Sequence, residues 1–114
     1  MSETENTQID YEDFKKVQIQ IGEVISAEPV EGSEKLLKLI VKFGKEERQI
    51  LSGIAKSKTP EELVGKKIPF VTNLKPRSMM GLESNGMILA ASDNEGNFSL
   101  LEVDQKIISG THVS

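Results

Sequence analysis

From Val17 onward the chain settles into a period of two. Val17, Ile19, Ile21, Ile25 and Ala27 share one parity, and Gln18, Gln20, Ser26 and Glu28 share the other. That alternation predicts a strand with one face buried. Gly22, beside the out-of-pattern Glu23, marks the expected bend or bulge, because glycine allows a barrel strand to curl. After a turn over Val30–Glu34, Leu37, Leu39, Val41 and Phe43 form a second inward face. Lys38, Ile40 and Lys42 lie on its outward side. A hairpin through Gly44 leads into Arg48–Ser52, which can bring Arg48 onto the same surface as Lys38 and Lys42.

Upstream, Ile9–Lys16 reads as a short helix, with Asp10 as N-cap and Asp13 in the position that a capping box gives to an acid or amide. Residues 1–8 read as a disordered arm, leaving 9–114 as the folded domain. Thr59, Pro60, Glu61 and Glu62 make a strong helix start, with Thr as N-cap, Pro at the first helical position and Glu at the third. Gly65 ends that helix. Ile68–Leu74 is a further strand. Pro76 cannot donate to a ladder, so Lys75–Asn85 is expected as a loop or an edge. Met87–Ala91 and Phe98–Val103 are expected to pair across the turn Asp93–Gly96. A strand triplet, a short helix and a strand pair are the order of an OB-fold. The expected fold is therefore all-β, a five-stranded OB-type barrel with short helices at the N-terminus and between the third and fourth strands.

A length of 114 residues suits one domain. Apolar residues make up 37% of the chain and aromatics only 4%, so the core must rest on Ile, Val and Leu. With no cysteine, a disulfide scaffold, a thiolate metal site and a Cys nucleophile are all excluded, and a cytoplasmic location is expected. Residues 1–13 have neither the basic start nor the apolar run of a signal peptide. No segment approaches the ~20 apolar residues of a membrane span.

The formal net charge of −4 conceals a strong asymmetry. Residues 1–13 hold five acids and no base, leaving 14 bases against 13 acids in the remainder. Between Lys35 and Arg77 eleven bases face four acids, a cationic band suited to a polyanion.

Little points to catalysis. The single histidine, His112, sits close to a terminus that is expected to fray. The adjacent acids Glu46 with Glu47 and Glu61 with Glu62 are explained by a turn and a helix start. No phosphate loop, dinucleotide fingerprint or metal-ligand cluster is present in the sequence, so no cofactor, metal or catalytic residue is expected. The richest stretch is Asn73–Met87, which combines Lys75 and Arg77 with amides, hydroxyls, glycines and methionines. Such a loop can bind phosphate by charge and touch sugars or splayed bases with its other groups. The structural alternative gives Gly81 and Gly86 to turns and Met79, Met80 and Met87 to gaps in the core.

Phe14–Val17, Val30–Leu39, Glu47–Ala55, Thr59–Lys67, Asn73–Arg77 and Glu83–Ala91 together resemble the tRNA-binding domain at the C-terminus of methionyl-tRNA synthetases. The resemblance covers nearly everything from Ile9 onward. Because the chain opens at Met1 and closes with the domain, it is most similar to the free-standing members, which are homodimers and sometimes serve as a synthetase's β subunit. The resemblance implies a non-catalytic dimer that recognises the L shape of tRNA near its outer corner without reading an anticodon. A methionyl-tRNA synthetase catalytic chain is a further implied partner.

Carried over position by position, the implied contact residues are Lys35, Arg48, Ser52, Asn73, Lys75, Arg77, Ser84 and Met87. The outward cations Lys38 and Lys42 join them. Many relatives carry further cations where Ser78 and Met80 stand, which implies weaker phosphate binding here. Four Phe and one Tyr give little base stacking, against a non-specific single-strand binder. A second reading is a dimeric peptide-binding export chaperone on the same fold. Those relatives tend to carry a second proline where Lys75 stands and an apolar sequence other than Gly-Met at Gly86 and Met87. Val103, Ile107, Ile108 and Val113 are available either for a dimer interface or for closing the barrel.

Overall fold

The computed structural model describes residues 7–114; residues 1–6 of the expected arm lie outside the described residues. A short helix α1 (Tyr11–Phe14) precedes β1 (Ile19–Pro29), β2 (Leu37–Phe43) and β3 (Glu46–Ser52). Helix α2 (Pro60–Leu63) leads into β4 (Lys67–Val71), β5 (Arg77–Met79) and β6 (Leu82–Ser84). β7 (Met87–Ile88), β8 (Ala90–Ser92), β9 (Phe98–Leu100) and β10 (His112–Val113) complete the chain. The main sheet runs β3-β2-β1-β4-β7, with β10 also paired to β1. It curls until residues 83–85 meet the free edge of β3, where Asn85 N donates to Gln49 O at 2.9 Å and Gln49 Nε2 donates to Glu83 O at 2.9 Å. This curled, antiparallel sheet is the OB-type barrel that the alternation predicts.

The alternation of β2 is realised without exception, since Leu37, Leu39, Val41 and Phe43 are all buried. Opposite them lie Val24, Ile50, Ile68 and Phe70, with Phe43 and Phe70 edge to face at 5.6 Å. Leu63, fully buried, projects from α2 into this core. The helix is held there by its capping box. Thr59 Oγ1 accepts from Glu62 N at 3.3 Å, and Glu62 Oε1 accepts from Thr59 N at 2.8 Å.

β1 breaks the expected parity. The register against β2 shifts between Val24 and Ser26, so the bulge falls at Ile25 and not at Gly22. Val24 thereby turns inward and Ile25 becomes 42% exposed. Gly22 is required for a different reason. A Cβ there would stand 2.4 Å from Val41 Cγ1 and 2.7 Å from Phe43 Cε1, so the strand can lie on the core only without a side chain.

Three further expectations are corrected. Asp10 occupies the N-cap of α1 but makes no side-chain capping bond. Of the loop or edge expected over Lys75–Asn85, the loop reading gives way, because residues 77–84 form the hairpin β5-β6. The segment expected as one strand over Met87–Ala91 divides, with β7 pairing with β4 and β8 pairing with β9.

The C-terminal segment continues the ladder where β2 stops. Val113 and His112 face Ile19 and Gln20, and Ile21 N donates to Thr111 O at 2.8 Å. Val103 and Ile107 are half-buried by this docking, while Ile108 and Val113 stay exposed.

Candidate functional site

The hairpin β5-β6 begins immediately after Pro76 and pairs Arg77 with Ser84, Ser78 with Glu83 and Met79 with Leu82. Its two turn residues, Met80 and Gly81, both have positive φ, at 52° and 78°. That is the mirror-image turn whose twist matches a tight hairpin, and it is unusual for a methionine. The Met80 methyl reaches back over the β1-β2 loop, 3.2 Å from where a Cβ on Gly32 would stand. The hairpin tip thus packs beside the loop that carries Lys35.

The base of the hairpin is tied to β3 by Ser84. Its hydroxyl accepts from Leu51 N at 2.9 Å and donates to Gly86 O at 3.1 Å. Ser84 is buried, so both bonds are shielded from water. Gly86 follows with φ of 143°, and a Cβ there would meet Ile50 Cδ1 at 2.9 Å and Val71 O at 3.3 Å. Only glycine fits this close approach of backbone to core. The two residues together fix where Met87 emerges.

These constraints leave a small, partly enclosed pocket at the surface. Leu51, Leu74, Met79 and Met87 supply its apolar wall, and Lys75 and Arg77 stand with Ser84 among its lining. Leu74 and Met87 remain 44% and 42% exposed. Lys75 and Arg77 make no ion pair among the described residues, in contrast to Lys38, which meets Glu28 at 3.0 Å.

The other expected contact residues are distributed as follows. Lys38 pairs in register with Leu51, one of the pocket's lining residues, and its ammonium is held by Glu28. Lys35 is exposed on the adjacent loop and makes no ion pair among the described residues. Lys42 is exposed four residues further along β2, a separation of roughly 13 Å. It faces Glu23 on one side and Glu47 on the other, acids that offset its charge.

Arg48 does not join the outward surface of Lys38 and Lys42. It is paired with Val41, on the inward parity, and closes one end of the core. Its Nη1 donates to Thr72 O at 2.6 Å, its Nε donates to Glu46 Oε2 at 3.0 Å, and the guanidinium lies 5.6 Å from the Phe43 ring centre. Ser52 is buried on the same parity. Asn73 uses both ends of its amide internally, donating to Lys16 O at 2.6 Å and accepting from Gln18 N at 2.9 Å. It fastens the segment after α1 to the root of the proline-containing loop.

Leu51 is the pocket residue that the alternation misses. The outward parity of β3 predicts exposure, yet Leu51 is only 5% exposed because the hairpin covers it. Three successive residues, Ile50, Leu51 and Ser52, are buried there. Two adjacent apolar residues at the end of a half-buried strand are the available sign that both faces are covered.

Residues 19–112 match the family model described as "Putative tRNA binding domain". The chain belongs to this tRNA-binding family. It is 55% identical over 115 residues to a methionine–tRNA ligase of Caldanaerobacter subterraneus subsp. tengcongensis, covering 98% of this chain. A methionine–tRNA ligase of Methanocaldococcus jannaschii is 52% identical over 106 residues, covering 93% of this chain. The chain spans only 18% and 16% of the length of these two curated relatives.

Among solved structures, a methionyl-tRNA-synthetase-related protein from Pyrococcus horikoshii superposes with a TM-score of 0.90 at 44% identity, covering 94% of this chain and 98% of that one. The chaperone CsaA from Bacillus anthracis superposes at 0.83 with 28% identity, covering 95% of this chain and all of that one. The chain is therefore a tRNA-binding domain homologous to a segment of methionyl-tRNA synthetases. The synthetase-related protein and the chaperone CsaA both share its fold.

Proposed function

We propose that this domain binds folded tRNA without catalysing a reaction, using the surface around the β5-β6 hairpin. The observation that carries the proposal is the placement of Lys75 and Arg77, two cations with no ion pair among the described residues, at a pocket braced by Ser84 and Gly86. Phosphates would be attracted to these cations first, since Lys38 and Lys42 share their fields with acids. Lys35, on the neighbouring loop, extends the same surface. Arg48, Ser52, Asn73 and Ser84 would act mainly by holding the surface in shape.

The test is a salt titration of tRNA binding. Lys75→Ala and Arg77→Ala each weaken binding, and each lowers the slope of log affinity against log salt by about 0.7 to 0.9 for every phosphate that is no longer neutralised. Unchanged affinity and slope in both variants would remove the basis for this surface.

The domain is further read as a cytoplasmic homodimer that serves a methionyl-tRNA synthetase catalytic chain by raising the effective tRNA concentration beside it. Support comes from the relatedness to ligase segments and from Ile108, which is 75% exposed on the docked C-terminal segment. A twofold pair would present a wider basic surface to a bulky RNA.

The second reading, a peptide-binding chaperone role, is favoured by the likeness to CsaA and by the exposed apolar pocket. Competition between bulk tRNA and an unfolded polypeptide separates the two.

A further inference from the structure

A pocket lined largely by aliphatic side chains is not what phosphate binding alone requires. Phosphates need cations, amides and hydroxyls, yet Leu51, Leu74, Met79 and Met87 form a wall beside Lys75 and Arg77. The wall is also preformed. Ser84 fixes the spacing of Leu51 and Gly86, and the core beneath Gly86 admits no side chain. Methionine, polarisable and adaptable, suits a flat and variable partner. Leu74 and Met87 are kept a little under half exposed when no ligand covers them, although burial would favour both.

We propose that one unstacked nucleobase of the bound RNA rests its face across the mouth of this pocket, on Leu74 and Met87, with the phosphates flanking that nucleotide lying against Lys75 and Arg77. The inference rests on the tRNA-binding reading and adds to it a requirement on the ligand. The RNA must offer a nucleotide that is unpaired and able to leave its stack, as a folded RNA with loops does and a continuous duplex does not. The aliphatic wall contributes by removing apolar surface and a base face from water, and carries no charge. Its contribution therefore leaves counterion release untouched.

Met87→Ala provides the test, because Met87 is not part of the buried core and its truncation spares the fold. Binding is measured as a function of salt for bulk tRNA and for a blunt, fully paired RNA duplex, beside Lys75→Ala as the electrostatic control. On this proposal Met87→Ala weakens tRNA binding about five- to tenfold with an unchanged salt slope. It leaves the weaker duplex binding unaltered, and Met87→Leu restores most of the tRNA affinity. Lys75→Ala reduces both ligands' affinity and lowers both slopes.

Equal losses on tRNA and duplex for Met87→Ala, or no loss on either, would overturn the nucleobase pocket while leaving the RNA surface standing. No salt-dependent tRNA binding by the unaltered protein would overturn the surface and the pocket together. An unfolded polypeptide that displaces tRNA, and whose own affinity falls with Met87→Ala, would reassign the pocket to a peptide side chain.

Discussion

Single residues carry the precision of this site, and Ser84 shows how. One hydroxyl serves the backbone N–H of Leu51 and the carbonyl of Gly86 at once. Ser84→Ala leaves a buried donor without a partner, which costs on the order of 1–3 kcal/mol. The expected outcome is a lower urea midpoint together with weaker tRNA binding at an unchanged salt slope, because no cation is removed. If Ser84 instead contacts RNA directly and braces nothing, affinity falls while the urea midpoint stays put. Asn73 has the same character, with its amide divided between Lys16 O and Gln18 N. These side chains look like polar surface groups in a sequence, and their work is internal.

At the level of elements, the two short helices contrast. α2 has a complete capping box, a proline at its first position and one fully buried leucine. α1 has an aspartate N-cap without the side-chain bond and no buried residue. The capping geometry has a consequence for pH. The backbone N–H of Thr59 holds the Glu62 carboxyl below its usual value, helped by the nearby Lys58 charge and the Thr59 hydroxyl. Asp93 is likewise depressed, chiefly by the Asn97 side chain and by backbone N–H groups within its turn.

A carboxylate whose folded value is depressed supports the fold above its unfolded value, and that support is lost as pH falls through the folded one. Both groups therefore predict stability that is level near neutrality and declines on acidification below the ordinary carboxylate range. In Glu62→Gln the part of that decline due to Glu62 disappears, which thermal melts at a series of pH values will reveal. A decline identical to that of the unaltered protein would show that the Glu62 carboxylate contributes nothing to it.

For the whole molecule, net charge is a poor guide and its distribution a better one. The band between Lys35 and Arg77 carries a clear excess of bases in the sequence, yet folding interleaves part of it with acids. Lys38 meets Glu28, Arg48 meets Glu46, Lys56 approaches Glu34 and Lys66 meets Glu102. What survives as unneutralised charge at the pocket is the pair Lys75 and Arg77. Affinity should accordingly depend on few phosphate contacts and respond to salt less steeply than a uniformly basic band would. Sedimentation with and without bulk tRNA tests the assembly. A species of twice the chain mass that shifts further with tRNA is expected, and a persistent monomer would remove the dimer.

The sequence by itself determined the barrel. Strict alternation in β2, the Thr59-Pro60 helix start and the turn residues act through contacts only a few positions apart, where propensity and period already fix the outcome. It also brought Lys75, Arg77, Ser84 and Met87 into view, because they crowd one glycine-rich stretch. Tertiary structure alone decided what each of them does. The bulge at Ile25 is set by β1 having to lie against β2 and β4 at once, and Gly22 by side chains about twenty residues away. Arg48 was set in a capping position over Phe43 by its register opposite Val41 and its bond to Thr72 O, and Leu51 was covered from its polar side through closure of the β6 region against β3. Long-range closure is the physical reason. It joins residues from about twenty to more than thirty positions apart, and no local period encodes which face such a contact will cover.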